Sequence, residues 1–145
     1  MTFKQHELDY MAGADLGRLA TVQRDGTPQA SPVGFIYNAD LGTIDIAGYN
    51  MSKSQKYRNI AANPKVAFVI DDIASRHPWR VRCLEIRGTA EHATAPRTSG
   101  AAGDALDSAI IRITPTRIIS FGIDDTDTEP HELVPDARDV PTTAS

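Results

Sequence analysis

Apolar and polar residues alternate along much of the first two thirds of this chain, which predicts a sheet built from short strands. The runs 17–24 and 27–37 show this period of two, and the dipeptide Asp25-Gly26 joins them. Such a dipeptide predicts a tight hairpin in which both central residues have positive φ. Two prolines in the second run lack the N–H that a central strand needs, so we expect this run at an edge or a bulge of the sheet.

The same alternation predicts the later strands. The remaining predicted elements are strands over 66–70, 80–92, 110–113 and 117–121, with polar or irregular loops over 71–78 and 93–108. The apolar phase of the longest of these strands shifts near Cys83, which predicts a β-bulge there.

The period changes from two to about 3.6 residues in two places, which predicts short helices. The first helix covers residues 4–14. The second follows a strand that begins at Thr43, and it ends before Pro64, since the residue before a proline avoids helical angles. Ser52 and Gln55 stand three residues apart at its start, which is the spacing of a capping box.

Together these elements predict a mainly β fold, an antiparallel β-barrel with short α-helices packed outside it. Hairpin spacing between successive strands argues against a parallel, doubly wound sheet. We expect a barrel domain over residues 1–123 and a tail over residues 124–145. The tail is acidic, contains several prolines and has no aromatic residue, so we expect it to be disordered or loosely docked.

Composition narrows the classes of function. A net charge of −4 argues against a general nucleic-acid binder, whose phosphate contacts need a basic excess. Cys83 is the only cysteine, which excludes a disulfide framework and favours a small core residue over a nucleophile. No apolar run approaches the roughly 18 residues of a membrane span, and no signal peptide opens the chain. We therefore expect a cytoplasmic protein without nucleic-acid or membrane partners, and the scattered histidines predict no metal site.

The start of the second helix carries two lysines where helices normally prefer acidic residues. Lys53 and Lys56 have no Asp or Glu beside them, and the free N–H groups of a helix start add positive charge. A bound phosphate or carboxylate would explain this pattern, and so would lysines that simply point into water. In the second strand run, Pro32 and Gly34 could form the wall of a groove, since Gly34 allows close approach to the backbone. An edge proline that protects the sheet from aggregation is an equal alternative.

Three blocks of sequence, 16–29, 54–67 and 85–91, occur in the order and at the spacing of a known family. They resemble the opening hairpin, the strand–helix–strand core and the long central strand of the pyridoxamine 5′-phosphate oxidase-like (PPOX class) split β-barrel proteins. The segments 32–35, 72–80 and 119–123 are similar to the subgroup that uses the deazaflavin coenzyme F420 rather than FMN.

The resemblance implies an FMN-binding-like split β-barrel that forms a homodimer with two cofactor grooves at the subunit interface. In such relatives the lysines at the helix start hold the cofactor phosphate, one strand lies along the flavin-like ring, and residues of either subunit close the groove. The cofactor-binding residues that the resemblance implies are Pro32, Val33, Gly34, Asn50, Lys53, Ser54, Lys56, Trp79 and Arg80. No side chain is expected to act as a catalytic acid or base, because the cofactor carries the hydride.

The function that the resemblance implies is a coenzyme F420-dependent oxidoreductase that transfers a hydride to a small planar acceptor, such as an enone, a quinone or a tetrapyrrole. One alternative is an FMN-dependent oxidoreductase on the same barrel. Another is a non-catalytic carrier of the cofactor or of a haem-like ligand. Pyridoxamine phosphate is not the expected substrate, since the chain ends in an acidic tail where the true oxidases have a basic extension.

Overall fold

A computed structural model of the chain describes residues 2–95 and 108–141. The elements are α1 (Gln5–Ala12), β1 (Gly17–Val22), β2 (Pro28–Val33), β3 (Ile36–Asn38), β4 (Thr43–Ile46), α2 (Gln55–Ala62), β5 (Lys65–Arg76), β6 (Trp79–Thr94), β7 (Ala109–Phe121) and β8 (Asp136–Asp139), with 3-10 turns at Met51–Lys53 and Pro130–Glu132. The predicted mainly β fold with two short α-helices is confirmed. No helix in the described ranges has the length and hydropathy needed to cross a membrane.

The strands form one antiparallel sheet in the order β2-β1-β5-β6-β7-β4-β3, with β8 added to β7. β7 changes its neighbour midway: residues 111–113 pair with β4, and residues 117–120 pair with β8. At the change the register of β6 against β7 shifts between Arg87 and Gly88, which leaves Thr116 as an extra residue. One strand thus connects the barrel to the C-terminal part of the sheet.

Branched aliphatic side chains fill the interior, because inward and outward residues alternate along each strand. The predicted alternation in β5 is confirmed: Val66, Phe68 and Ile70 are buried, while Ala67 and Val69 are partly exposed. The fully buried core residues of the strands are Leu19, Ile44, Ile46, Phe68, Ile70, Leu84, Ile86, Ile111, Ile113 and Ile118.

The first hairpin is confirmed, but its turn differs from the predicted one. Of its two central residues, Asp25 and Gly26, only Gly26 has a positive φ, at 90°. Its N–H donates to the carbonyl of Gln23 at 2.9 Å, and the carboxylate of Asp25 accepts the N–H of Thr27 at 3.0 Å. Because this side chain stabilises the turn, Asp25 does not need a left-handed conformation. β2 lies at the edge of the sheet, as its prolines predict.

The predicted loop over 71–78 is wrong, since β5 continues to Arg76 and only His77 and Pro78 separate it from β6. Polar residues can continue this strand because they are paired across it. Asp72 lies opposite Arg82 in the ladder and accepts its guanidinium N–H at 2.8 Å.

The predicted bulge near Cys83 is also wrong. Cys83 pairs in register with Asp71 on one side and Phe121 on the other. The register shifts lie elsewhere, between Ile73 and Ser75 in β5 and opposite Thr116 in β7. The apolar phase changes along β6 because its two faces meet different surroundings, and not because a residue is inserted.

The strands predicted over 110–113 and 117–121 are parts of the single strand β7. Pro115 lies inside it next to the register shift, where a missing N–H is tolerated. Of the loop predicted over 93–108, residues 96–107 lie outside the described part of the chain.

Part of the acidic tail adds β8 to the sheet and contacts α1. Arg138 of β8 donates to the carboxylate of Glu7, which is fully buried and also accepts the hydroxyl hydrogen of Ser120 at 2.7 Å. Burial alone would raise the pKa of Glu7, but the hydrogen bonds from Arg138 and Ser120 outweigh it and hold the pKa below its usual value. The division of the chain at residue 123 stays a prediction.

Candidate cofactor-binding site

A short turn carries the chain from β4 into α2. Asn50 has a φ of 51°, a left-handed conformation that asparagine tolerates better than most residues, and a 3-10 turn follows it. The hydroxyl of Ser54 then donates to the carbonyl of Met51 at 2.7 Å and accepts the N–H of Tyr57 at 3.3 Å. Ser54 is therefore the N-cap of α2.

The capping role predicted for Ser52 is wrong. The 3-10 turn already includes Ser52, so that the α-helix begins only at Gln55. A capping box over these two residues would require the helix to start two residues earlier. Within the chain, the role of the Ser54 hydroxyl is to cap the start of α2.

Both predicted lysines lie at the positive end of α2. Lys53 ends the 3-10 turn and is exposed, whereas Lys56 is the second residue of the helix and is half-buried. The first turn contains no acidic residue, and within residues 2–95 and 108–141 neither ammonium group forms an ion pair. Two positive charges and the helix dipole therefore coincide without an acidic partner in the described chain.

Asn59 fixes α2 against the first hairpin and so determines where the lysines lie. Its side-chain amide is buried and donates to Thr21 at 3.0 Å and to Gln29 at 2.8 Å, while its carbonyl oxygen accepts from Gln55 at 2.7 Å. Sequence reasoning missed this residue. No local signal marks it, since the apolar stripe of the predicted helix consists of Tyr57, Ile60 and Ala61.

The strand segment predicted to line the cofactor ring is the last part of β2 and the residue after it. Pro32 is exposed and Val33 is buried with 7% exposure, so Val33 can offer only its backbone to a ligand. Gly34 is exposed, and an added Cβ there would meet only the carbonyl of Asp15 at 3.9 Å. This edge of the sheet therefore leaves its backbone approachable.

Trp79 and Arg80 lie at the far end of the hairpin formed by β5 and β6. The indole of Trp79 is 51% exposed. The guanidinium of Arg80 donates to the carbonyl of Thr126 at 3.0 Å and to the carboxylate of Glu129 at 3.1 Å. Within one chain Arg80 therefore holds the tail.

The nine predicted site residues thus fall into three groups along one chain. Beside α2 lies a cavity of about 750 Å³, whose lining includes Arg24, Arg58 and His92 but none of the nine. The guanidinium of Arg58 donates to the carbonyl of Lys53 at 2.7 Å and to the side chain of Gln55 at 2.8 Å, so among the described residues its hydrogen-bond partners are neutral, although Asp25 also lines the cavity. His92 stacks on Tyr57 with the ring centroids 3.6 Å apart, which gives the cavity a flat wall.

The outward side of β5, β6 and β7 is rich in apolar residues that are partly or fully exposed. We call this surface the outer face, and its apolar residues are Val69, Ile73, Val81, Cys83, Ile119 and Phe121. Partial burial raises the pKa of the Cys83 thiol to about 11, with a smaller contribution from Glu85, so the thiol stays protonated and unreactive at neutral pH. Exposed apolar residues grouped in this way, here beside Asp71 and Glu85, are typical of a surface that contacts another molecule.

Comparison with known proteins identifies the family. The sequence profile of the pyridoxamine 5′-phosphate oxidase family matches residues 3–122. The chain belongs to this family. A 5a,11a-dehydrotetracycline/5a,11a-dehydrooxytetracycline reductase of Streptomyces rimosus is 41% identical to it over 124 residues, which cover 86% of each chain.

Solved structures of similar proteins agree with this pyridoxamine 5′-phosphate oxidase family membership. One, described as an F420 reductase, is 33% identical, covers 71% of this chain and 87% of its own, and superposes with a TM-score of 0.54. A conserved protein of Mycobacterium tuberculosis superposes with a TM-score of 0.68 at 19% identity, covers 88% of this chain and 89% of its own, and shares the fold. The predicted split β-barrel is confirmed, and the chain is an oxidoreductase.

Proposed function

We propose that this protein is a coenzyme F420-dependent reductase that transfers a hydride to a planar, conjugated acceptor. The observation that carries the proposal is the pair of lysines at the start of α2, which have no acidic partner in the described chain. The reductase activities named for two relatives, one of them an F420 reductase, support it.

The residues around α2 fit the charges of this coenzyme. Lys53 and Lys56 would hold its phosphate, together with the positive end of the helix. Arg24 and Arg58 line the neighbouring cavity of about 750 Å³, where the described hydrogen-bond partners of the Arg58 guanidinium are neutral. These arginines would meet the acidic tail of the coenzyme.

Each part of the chain then has a task in the reaction. The coenzyme, when bound, supplies the hydride chemistry. The exposed backbone at Pro32 and Gly34 would align the ring, because a polar ring edge can bond to main-chain groups there. Asn59 holds α2 on the hairpin, so the phosphate grip and the ring wall keep a fixed separation, which favours hydride transfer through orientation.

A second copy of the chain would complete the groove. The three groups of predicted residues lie apart in one chain, and the outer face is an apolar surface suited to a symmetric contact. In a homodimer formed through this face, Trp79 of one subunit would stand at the groove of the other, since Trp79 projects from the same side of β6 as Val81.

The acceptor that we propose is a conjugated carbonyl compound on a fused-ring skeleton. The named substrate of the Streptomyces relative belongs to this class, and that relative and this chain are 41% identical. FMN is the second candidate cofactor, because the same phosphate grip would hold it and the family is described by an oxidase rather than by an F420 enzyme.

Titration of the purified protein with F420 and with FMN, side by side, tests the proposal. We expect saturable binding of F420 at micromolar-order affinity and weaker binding of FMN. Quenching of F420 fluorescence or calorimetry measures the binding. Reduced F420 should then be oxidised in the presence of a fused-ring enone. Tighter binding of FMN would favour the second candidate, and binding of F420 without oxidation across a panel of acceptors would favour a carrier.

A further inference from the structure

A small apolar pocket lies at the end of the hairpin formed by β5 and β6. It has a volume of about 240 Å³, and its lining consists of Trp79, Val81, Phe121, Pro130, Leu133 and Pro135. Half of these residues belong to β6 and β7, and the other half belong to the tail. Aromatic and proline rings offer flat, apolar surfaces, so the pocket suits a flat apolar part of a ligand.

The tail wall of this pocket is fixed at both ends. Before it, Arg80 binds the carbonyl of Thr126 and the carboxylate of Glu129. After it, β8 pairs with β7, and Arg138 reaches the buried Glu7. A wall held in this way is preorganised for binding, because little conformational freedom remains to be lost.

The same wall lies beyond the residues that the family profile matches. The family profile ends at residue 122, whereas Pro130, Leu133 and Pro135 follow it. The cofactor residues proposed above all precede residue 122. A surface outside the residues that define the family profile can carry a property in which its members differ, such as the choice of acceptor.

We propose that this pocket binds part of the fused-ring skeleton of the hydride acceptor, with Leu133 and Trp79 as specificity-determining residues. The proposal rests on the proposed function, which supplies the acceptor. A pocket of about 240 Å³ is smaller than the roughly 300–1,000 Å³ of ligand sites, so it holds one end of a polycyclic molecule and leaves the reacting end outside. Val81 and Phe121 also belong to the outer face, so in the proposed homodimer the pocket would lie beside the subunit contact.

Trp79 reports on the pocket directly, because it is the only tryptophan of the chain. We would titrate the protein, without cofactor, with tetracycline as a four-ring probe and follow the indole fluorescence. Free N-acetyltryptophanamide corrects for light absorbed by the probe. We expect saturable quenching in the wild type and an approximately tenfold higher Kd in Leu133→Ala, the loss that corresponds to one buried leucine contact.

Val134→Ala is the matched control, since Val134 is the next residue of the same wall, is 82% exposed and is not part of the lining. Its Kd for tetracycline should equal that of the wild type. Absence of saturation in the wild type, or equal losses in both variants, would overturn the proposal.

The affinity for F420, measured in parallel, separates this proposal from the proposed function. We expect Leu133→Ala to bind F420 as the wild type does, and a matching loss would overturn the separate role of the pocket. A wild type that binds tetracycline but neither F420 nor FMN would refute the proposed function and the acceptor role with it, while the effect of Leu133→Ala would still locate the ligand.

Discussion

The start of α2 and the C-terminal tail both carry dense charge, but they use it in opposite ways. In the tail, three acidic residues and Arg138 are paired with charged groups elsewhere in the fold. These pairs are Arg80 with Glu129, Arg117 with Asp139, Lys4 with Asp136, and Arg138 with Glu7. At the start of α2, Lys53 and Lys56 have no such partner within the described residues.

We infer that the paired charges of the tail stabilise the fold, whereas the lysines at the start of α2, unpaired in the described chain, are available to bind a ligand. Removal of one partner of a buried pair leaves the other charge buried and uncompensated, which destabilises the free protein. A charge placed at the positive end of a helix without a counterion raises the electrostatic energy of the free protein slightly, and it is compensated when an anion binds. Substitution should therefore affect unfolding in the tail and binding at α2.

The largest expected effect is the loss of the buried tail contact. Glu7→Ala leaves the guanidinium of Arg138 without its main partner, and we expect the free energy of unfolding to fall by about 3–5 kcal/mol. Urea denaturation followed by circular dichroism measures this. The control is Asp139→Ala, which removes a carboxylate that is 82% exposed and should cost only about 0–1 kcal/mol. Equal losses in the two variants would contradict the ranking.

A smaller effect, on binding rather than on stability, is expected at α2. Lys56→Ala should raise the Kd for F420 by at least about tenfold, because a charged contact to phosphate contributes about 1.5–3 kcal/mol. The free energy of unfolding should stay within about 0.5 kcal/mol of the wild type. Lys65→Ala is the control, since it removes the same charge from an exposed residue beyond the other end of the helix. If Lys65→Ala weakens binding as much, net charge and not the site explains the affinity.

The smallest effect is a pH dependence that only the tail contact should show. The folded-state pKa of Glu7 lies below its usual value of 4.5, so its ionised form stabilises the fold above that pH. This contribution is lost as the pH falls from 4.5 through the folded-state pKa. Between pH 7 and pH 3, the free energy of unfolding from urea denaturation should therefore fall more steeply for the wild type than for Glu7→Gln. An equal pH dependence of the free energy of unfolding in the two proteins would show that Glu7 is not the group that titrates.

Local patterns were sufficient to predict the architecture of the barrel. Three of these patterns act over a few neighbouring residues: the alternation in residues 66–70, the dipeptide at the first hairpin and the proline after α2. The strand, the hairpin and the helix end that they predict are confirmed. The bulges were not predictable in the same way. A register shift such as that opposite Thr116 is a relation between two strands, and neither strand contains the whole signal.

The site was predicted less completely for a related reason. The lysines stand out in sequence because acidic neighbours are missing, and the structure confirms that they lie at the start of a helix. Asn59 and Arg80 act through contacts with distant residues, at Thr21 and Glu129, which no local pattern reveals. The helix begins at Gln55, later than predicted, because a 3-10 turn follows the left-handed residue Asn50 and precedes the helix.

The change of neighbour along β7 has a consequence for the solubility of the protein. β4 covers the first half of that strand, and without β8 the carbonyl and N–H groups of residues 117–120 would form a free sheet edge. Free edges recruit strands from other molecules and lead to aggregation. β8 replaces this edge by one of only four residues, three of them charged, which other strands extend less readily. The acidic C-terminal segment, which the family profile does not include, thereby lowers the tendency of the barrel to aggregate.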